Sequence, residues 1–523
     1  MANLKARPCD EGSIRATRGS ASCTATQKRW VLAATILGST ISFIDESVVN
    51  VALPAIEKNL AASAASAQWI VNAYTLALSA LLLLGGAGGD RFGRRRIFVT
   101  GTVIFALASL WCGIAPGIAQ LLAARVTQGI GAALLVPCSL AIIGATFEES
   151  ERGKAIGTWA AFSAVAAAVG PLAGGFITDH TTWRVIFLIN PLLAIPTILV
   201  TLRHVPESRD AEVHGHLDWL GAALALLGLG SAVFGIIALP ELGWRSPLVL
   251  GGLAAGFILL AAFVWVEARS QAPMMPLGLF RSRTFSGVNL LTLLLYAGLG
   301  GALFFLPFAL IQVEGTSATV AGTVFLPFTI IMGALSRWSG GLLDRFGARG
   351  PLIIGPLIVA AGFGLLALTP GASLLTRFFI PISVMGFGMT VSVAPLTTMV
   401  INAVPTRQAG VASGINNAVA SVANLLAVAI FGAVVLTSFD RALDRSVAAT
   451  PLPPQAREMI ERGRGKFVIE TAGEGEAQKI ATSVLKDSLA EGISTAMLLA
   501  AGLAVAGAAA AALTIEQNKR RGR

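Results

Sequence analysis

Charge is scarce in this chain. Asp, Glu, Lys and Arg together make up 13% of its 523 residues, about half the share usual for a soluble protein. That excludes an ordinary solvated surface. Cysteine and histidine each occur four times. Cys9 and Cys23 lie in the amino-terminal tail, and Cys112 and Cys138 lie in apolar runs. No pair has metal-ligand spacing or implies a disulfide framework. His180, His204, His214 and His216 all fall at or beyond the ends of apolar runs. Only His214 and His216 could form a metal pair, and i,i+2 spacing in a loop is a weak signal. No phosphate loop and no nucleophile–base set is visible, which argues against an ATP-driven pump or a membrane enzyme. No cofactor and no metal are expected.

What is present is apolar: 55% hydrophobic residues, a mean hydropathy of +0.75 and 57 glycines. Runs of about 20 apolar residues, each long enough to cross a bilayer, recur along the chain. Fourteen are expected, near 29–53, 68–87, 97–115, 118–143, 154–178, 184–202, 217–239, 247–266, 284–311, 318–339, 350–369, 373–400, 408–436 and 490–513. Small residues at such frequency let membrane helices approach closely. The first run is too long for a cleavable signal core and is expected to remain as a helix.

The predicted organisation is 6 + 2 + 6. A tail (1–28) precedes a six-helix bundle (29–203), a linker region with two extra helices (204–283), a second six-helix bundle (284–513) and a basic tail (514–523). The second bundle includes a polar segment, 438–489, with charges of both signs and the run Pro451-Leu452-Pro453-Pro454. Helix-compatible stretches at 456–462 and 479–489 suggest a small outward cap; a solvated connector, a gate and a docking surface all remain open readings. Most of the 38 Lys and Arg residues fall on alternate connections and the two tails, placing those and both termini in the cytoplasm. The same distribution accounts for the net charge of +10 without nucleic acid.

One loop is duplicated. Residues 86–95 read G-x-x-x-D-R-F-G-x-R, through Gly86, Asp90, Arg91, Gly93 and Arg94; residues 340–349 repeat the pattern with Asp344 and Arg345. Each copy follows the second helix of its six-helix bundle. Duplicated halves are a common construction of secondary transporters.

Acids inside apolar runs need a reason, because a charge at helix centre costs at least ~2.5–3.5 kcal/mol on insertion scales. Asp45 and Glu46 are such a pair. Adjacent positions lie about 100° apart on a helix, so the two cannot point the same way. Asn50, one turn after Glu46, shares the Glu46 face. In the fourth run Arg125 and Gln128 lie on one face, and a buried Arg there is expected to pair with Asp45 or Glu46 unless it is only a structural anchor.

Together these motifs resemble the major facilitator superfamily, and within it the fourteen-helix drug:proton antiporters of the EmrB/QacA type. The resemblance rests on the DRFG loop, on 43–54 around Asp45, on 122–133 around Arg125, and on the fifth run ending Gly170-Pro171-Leu172-Ala173-Gly174-Gly175. It implies an all-α membrane fold of two six-helix bundles plus two extra central helices. It also implies export of lipophilic or amphipathic compounds in exchange for protons, by alternating access. Asp45, Glu46 and Arg125 are then the proton-coupling residues. Asn50 and Gln128 are expected on the substrate cavity, Asn416 and Asn417 either line it or simply tie helices together, and the DRFG loop, Gly86 included, is a conformational latch. Gly157, Gly170, Pro171, Gly174 and Gly175 form the antiporter motif, with Ala166 replacing its second glycine. Where Asp45 matches the family's acidic position, Glu46 departs from it: either it faces another wet surface or it is a second titratable site. A dedicated exporter of one metabolite, antibiotic or lipid remains the alternative. A non-transport membrane protein is a weaker one. A peptide symporter would need an E-x-x-E-R cluster absent from the first run. The implied setting is a bacterial inner membrane. In a double-membraned cell the resemblance adds a periplasmic adaptor and an outer-membrane channel as partners. Phe304, Phe305, Phe308, Phe325 and Phe328 could wall a lipophilic site or simply face lipid.

Overall fold

The computed structural model describes residues 24–209, 217–270, 273–342, 346–368, 373–405, 408–449, 452–469 and 475–515. All regular structure among them is helical. In chain order the helices are α1 (Ala25–Asn59), α2 (Ala64–Phe92), α3 (Arg94–Ile114), α4 (Ile118–Thr146), α5 (Glu149–His180), α6 (Arg184–His204), α7 (Trp219–Leu242) and α8 (Pro247–Arg269). There follow α9 (Arg283–Phe308), α10 (Ala318–Thr323), α11 (Leu326–Gly340), α12 (Arg349–Leu368), α13 (Ile380–Asn402), α14 (Ala409–Ala449), α15 (Pro454–Gly463) and α16 (Glu476–Thr514). Fourteen helical stretches are long and apolar enough to cross a membrane, with α10 and α11 sharing one.

Two differences from the sequence reading stand out. The cap is more helical than expected, because α14 and α16 continue well past their apolar portions. Residues 438–449 and 476–489 of the expected loop are therefore helix. Hydropathy marks where a helix leaves the lipid, not where its hydrogen bonding stops. Three spans also change winding: π turns occupy Ala309–Val313 and Leu375–Phe379, and the tenth span breaks before Pro327.

The chain starts α1 with a reciprocal cap: the Gln27 amide donates to the Thr24 hydroxyl oxygen, while the Thr24 amide donates to the Gln27 side chain. Fourteen passes return the end of α16 to the face where α1 begins. That face carries Asp90–Arg96 and is called here the basic face; the other is the cap face. Helices α1–α6 make one half and α9–α16 the other. The extra pair sits at the flank, where Leu229, Val233 and Ile237 of α7 pack on Leu425 and Ala429 of α14. Helix α8 is peripheral, with only Val249, Gly256 and Glu267 buried.

Missing side chains set the crossings. A methyl group on Gly85 of α2 would lie 2.0 Å from the Ala133 carbonyl of α4. Between halves, a methyl on Gly175 of α5 would lie 2.1 Å from the Ala318 carbonyl, and one on Gly322 of α10 would lie 2.3 Å from the Pro171 carbonyl. Helix α5 thus meets α10 backbone to backbone near the cap face, the close approach that small residues permit. Asp179 reinforces it by accepting from the Ala318 amide at 3.1 Å and the Thr319 amide at 2.7 Å, capping α10 from across the interface.

Candidate functional site

The interior of the first half holds a buried polar cluster. Asp45 of α1 and Arg125 of α4 are only 2% and 1% exposed. The Arg125 Nη1 donates to Asp45 Oδ2 at 2.5 Å and to Gln128 Oε1 at 2.7 Å, and its Nε donates to the Ile70 carbonyl at 3.0 Å. The other Asp45 oxygen accepts from Gln128 Nε2 and from Asn190 Nδ2, both at 2.7 Å. Those two amides also donate to Ser109 Oγ, at 2.7 and 3.1 Å. Four helices (α1, α3, α4 and α6) thereby converge on one carboxylate. The Arg125 guanidinium lies 4.4 Å from the Tyr74 ring centroid, and Tyr74 hydrogen-bonds Ser42 at 2.7 Å.

Such a cluster is what a buried charge needs: an opposite charge and hydrogen bonds to its remaining lone pairs. Chemically it holds a carboxylate whose loss of charge on protonation would leave Arg125 facing a neutral acid.

The structure thus brings Asp45, Arg125 and Gln128 together. It also adds Ser109, Asn190 and Tyr74, which the sequence reading missed. A lone Ser, Asn or Tyr inside an apolar run carries too little hydropathy signal to mark it. Gln128, expected on the cavity wall, is fully buried with its amide committed to Asp45 and Ser109. Glu46 is not in the cluster. It is half-buried on the next face of α1, within electrostatic reach of Arg125 and Asp45, and among the described residues its side chain makes no hydrogen bond or ion pair. Asn50 shares that face, half-buried with its side-chain oxygen unpartnered, and Phe43 packs edge-on against Trp159 of α5. This is the α1 face turned towards the second half. Three turns on, Glu57 contacts a segment packed on α9.

In the second half Asn416 is buried and donates to Asn289 at 3.1 Å and Thr292 at 2.8 Å, tying α14 to α9, whereas Asn417 is exposed. The expected aromatic wall is neither cavity nor lipid surface at its centre. Phe304, Phe305 and Phe308 are buried in a cluster completed by Phe467. Phe325 is buried and Phe328 partly buried.

At the DRFG loop, Arg94 Nε donates to Asp90 Oδ1 at 2.8 Å. Gly93 turns the chain at φ +110°, a conformation favouring glycine. Glu207, beyond α6, accepts from the Arg95 and Arg96 amides at 3.0 and 3.2 Å, an acid placed on the amino terminus of α3. Arg91 is exposed. Of the loop's glycines, Gly86 lies beside Pro137 and Gly89 beside Cys138, both on α4 of the same half, because α4 crosses there. Asp344 and Arg345 lie outside the described residues. In α5, Gly157 has open space around it, Gly170 and Gly174 press on Ser47 and Val48 of α1, and the helix runs unbroken through Pro171.

The family model of the Major Facilitator Superfamily matches residues 35–218 and 218–428. The chain belongs to that superfamily. Its relatives include multidrug resistance protein Stp of Mycobacterium tuberculosis, 33% identical over 82% of this chain and 80% of its own. The tetracenomycin C resistance and export protein of Streptomyces glaucescens is 31% identical over 92% and 91%, and puromycin resistance protein pur8 of Streptomyces alboniger 37% identical over 79% and 84%. Among solved structures, a bacterial homologue of the human lysosomal transporter Spinster, inward-facing and occupied, superposes with a TM-score of 0.67. It is 19% identical and covers 94% of this chain and 98% of its own. That likeness concerns the fold.

Proposed function

We propose that this protein is a proton-coupled exporter that moves lipophilic or amphipathic compounds out of the cell by alternating access between its two halves. The observation that carries the reading is the Asp45 cluster, an ionisable group held at the junction of four helices by partners that respond to its charge. Protonation of Asp45 removes the charge that Arg125 answers. The Arg125 side chain then keeps Gln128, the Ile70 carbonyl and the Tyr74 ring face, and the packing preference of α1 against α4 and α6 shifts. A ligand or proton moves an equilibrium only through such a difference between states. Export as the direction of transport rests on the antiporter motif in α5 and on the relatives named for resistance to multiple drugs, tetracenomycin C and puromycin.

Substrate occupies the space between halves, against Glu46, Asn50, Phe43 and Trp159 of the first half and Asn417 of the second. Gln128 and Asn416 act from behind as packing for that wall. The DRFG loop, with its second copy, biases one access state. The basic face, with both chain ends, is cytoplasmic, in a bacterial inner membrane. In a double-membraned cell, an adaptor and an outer channel complete the route. The activity is carriage, not catalysis. A second reading, a dedicated exporter of one antibiotic, is favoured by the relative named for tetracenomycin C export.

The test is uptake into inside-out membrane vesicles, using ethidium, rhodamine 6G, puromycin and tetracenomycin C. Accumulation of several, abolished by a protonophore, is the expected result. Accumulation of only one supports the dedicated exporter. Uptake that ignores the protonophore contradicts proton coupling.

A further inference from the structure

The cap ends in a strap that joins the two halves. Residues 464–469 follow α15 as a turn and a bend, with Gly465 at φ +70°. Its base is fixed in the second half: Arg464 donates to Asp444 at 2.5 Å and to Glu461 at 2.7 Å, while Ala456 and Ile460 of α15 are fully buried. Phe467 is fully buried, with its ring centroid 5.1 Å from Phe305 and 5.3 Å from Phe308 of α9. The amide of Ile469 donates to Gln312 at 3.0 Å.

The tip of the strap is seated on the first half. Glu57, near the end of α1, is 2% exposed. One of its oxygens accepts from the amides of Phe467 at 2.9 Å and Val468 at 3.1 Å. The first residue of α2, Ala64, donates its amide to the Gly465 carbonyl at 3.0 Å. An acid near the end of α1 thus satisfies two amides of a chain segment 410 residues away. Charge-assisted bonds to a carboxylate are among the stronger ones available to a backbone amide.

We infer that the strap is a latch on the cap face, with Glu57 of the first half as its catch. Both chain connections of the strap run to helices of the second half, and the Phe467 ring is wedged among second-half rings. When the halves part on this face, the strap stays with the second half. The bonds that must break are those to Glu57 and Ala64. Released, Glu57 meets water and the Phe467 and Val468 amides become exposed. The strap therefore adds to the Asp179 tie and holds this face closed through the part of the cycle that loads substrate from the basic face.

The test uses a chain with Cys9, Cys23, Cys112 and Cys138 replaced by serine and a reporter, Val468→Cys, placed at a buried strap position. Labelling by a membrane-impermeant maleimide is followed in lipid nanodiscs. Glu57→Ala is expected to speed labelling by about tenfold or more, the scale set by losing a buried acceptor. Glu57→Gln, which still offers an oxygen to both amides but without its charge, is expected to fall between the parent and Glu57→Ala. Equal rates in the parent and Glu57→Ala overturn the latch, and so does equal acceleration by Gln and Ala. Should Glu57→Ala not fold, Glu57→Leu, which fills the space but offers no acceptor, carries the same test, with unchanged labelling again the contrary result. This arm needs no substrate, so it stands or falls apart from the exporter reading. A second arm rests on that reading. A disulfide between Ala64→Cys and Lys466→Cys is expected to stop vesicle uptake of ethidium until it is reduced. Uptake by the oxidised protein contradicts the latch, whereas absence of uptake in the parent counts against the exporter reading alone and leaves the labelling to decide.

Discussion

At the scale of single residues, the buried Asp45–Arg125 pair makes the sharpest demand. Removing one member of a buried ion pair leaves an uncompensated charge and typically costs ~3–5 kcal/mol, whereas replacing both by neutral groups can be close to neutral. Arg125→Met is therefore predicted to lower the melting temperature in detergent strongly. Adding Asp45→Asn is predicted to recover most of the loss, because Gln128 and Asn190 can still bond a neutral amide. If the two losses simply add, the pair is not the organising interaction. Asn190→Leu is predicted to destabilise by ~1–3 kcal/mol, since Asp45 loses a donor it cannot replace from water. The charged members of the site were legible in the sequence because a charge in an apolar run is conspicuous. Ser109, Asn190 and Tyr74 were not, because their polarity is visible only once three further helices converge on α1. Nor did the sequence show that Asp45 and Glu46 divide between a closed cluster and an open face; helix geometry allowed it without choosing which faced where.

Elements meet where side chains are missing. Gly175 and Gly322 let α5 and α10 touch backbone to backbone near the cap face, and Asp179 caps α10 across the same contact. Gly175→Val forces at least one helix to move, since its Cβ would sit 2.1 Å from a carbonyl oxygen. The predicted effect is a shift towards opening on the cap face, measured as a longer spin-label distance between α5 and α10 by electron–electron resonance. An unchanged distance contradicts the contact. Asp179→Asn is predicted to produce a smaller shift in the same direction, because one of the two accepting oxygens remains while the other becomes an NH2 facing a donor and the charge on the α10 terminus is lost. The fourteen spans were readable from hydropathy, together with the register of the duplicated loop. The helical extension of α14 and α16, the π turns and the strap were not. Hydropathy reports the match between a segment and lipid, and each of those features lies where the chain leaves lipid or alters its winding within it.

For the whole molecule, the two halves differ in what they bury. The first encloses an ion pair with its amides; in the second, the described membrane-core tie between α14 and α9 is neutral, Asn416 with Asn289 and Thr292. The proposed proton coupling therefore belongs to the first half, while the second supplies the strap and its aromatic seat. The two extra helices stand at the flank and touch the core through α2 and α14, so they bear on helix movement without entering the Asp45 cluster. The most direct measurement is proton release from the purified protein in proteoliposomes on addition of a transported compound, comparing the parent with Asp45→Asn. Substrate-driven release in the parent and none in Asp45→Asn, with the variant still folded and still binding the compound, is the predicted result. Release that persists in Asp45→Asn would contradict the account and move the coupling site elsewhere, with Glu46 the next carboxylate to examine.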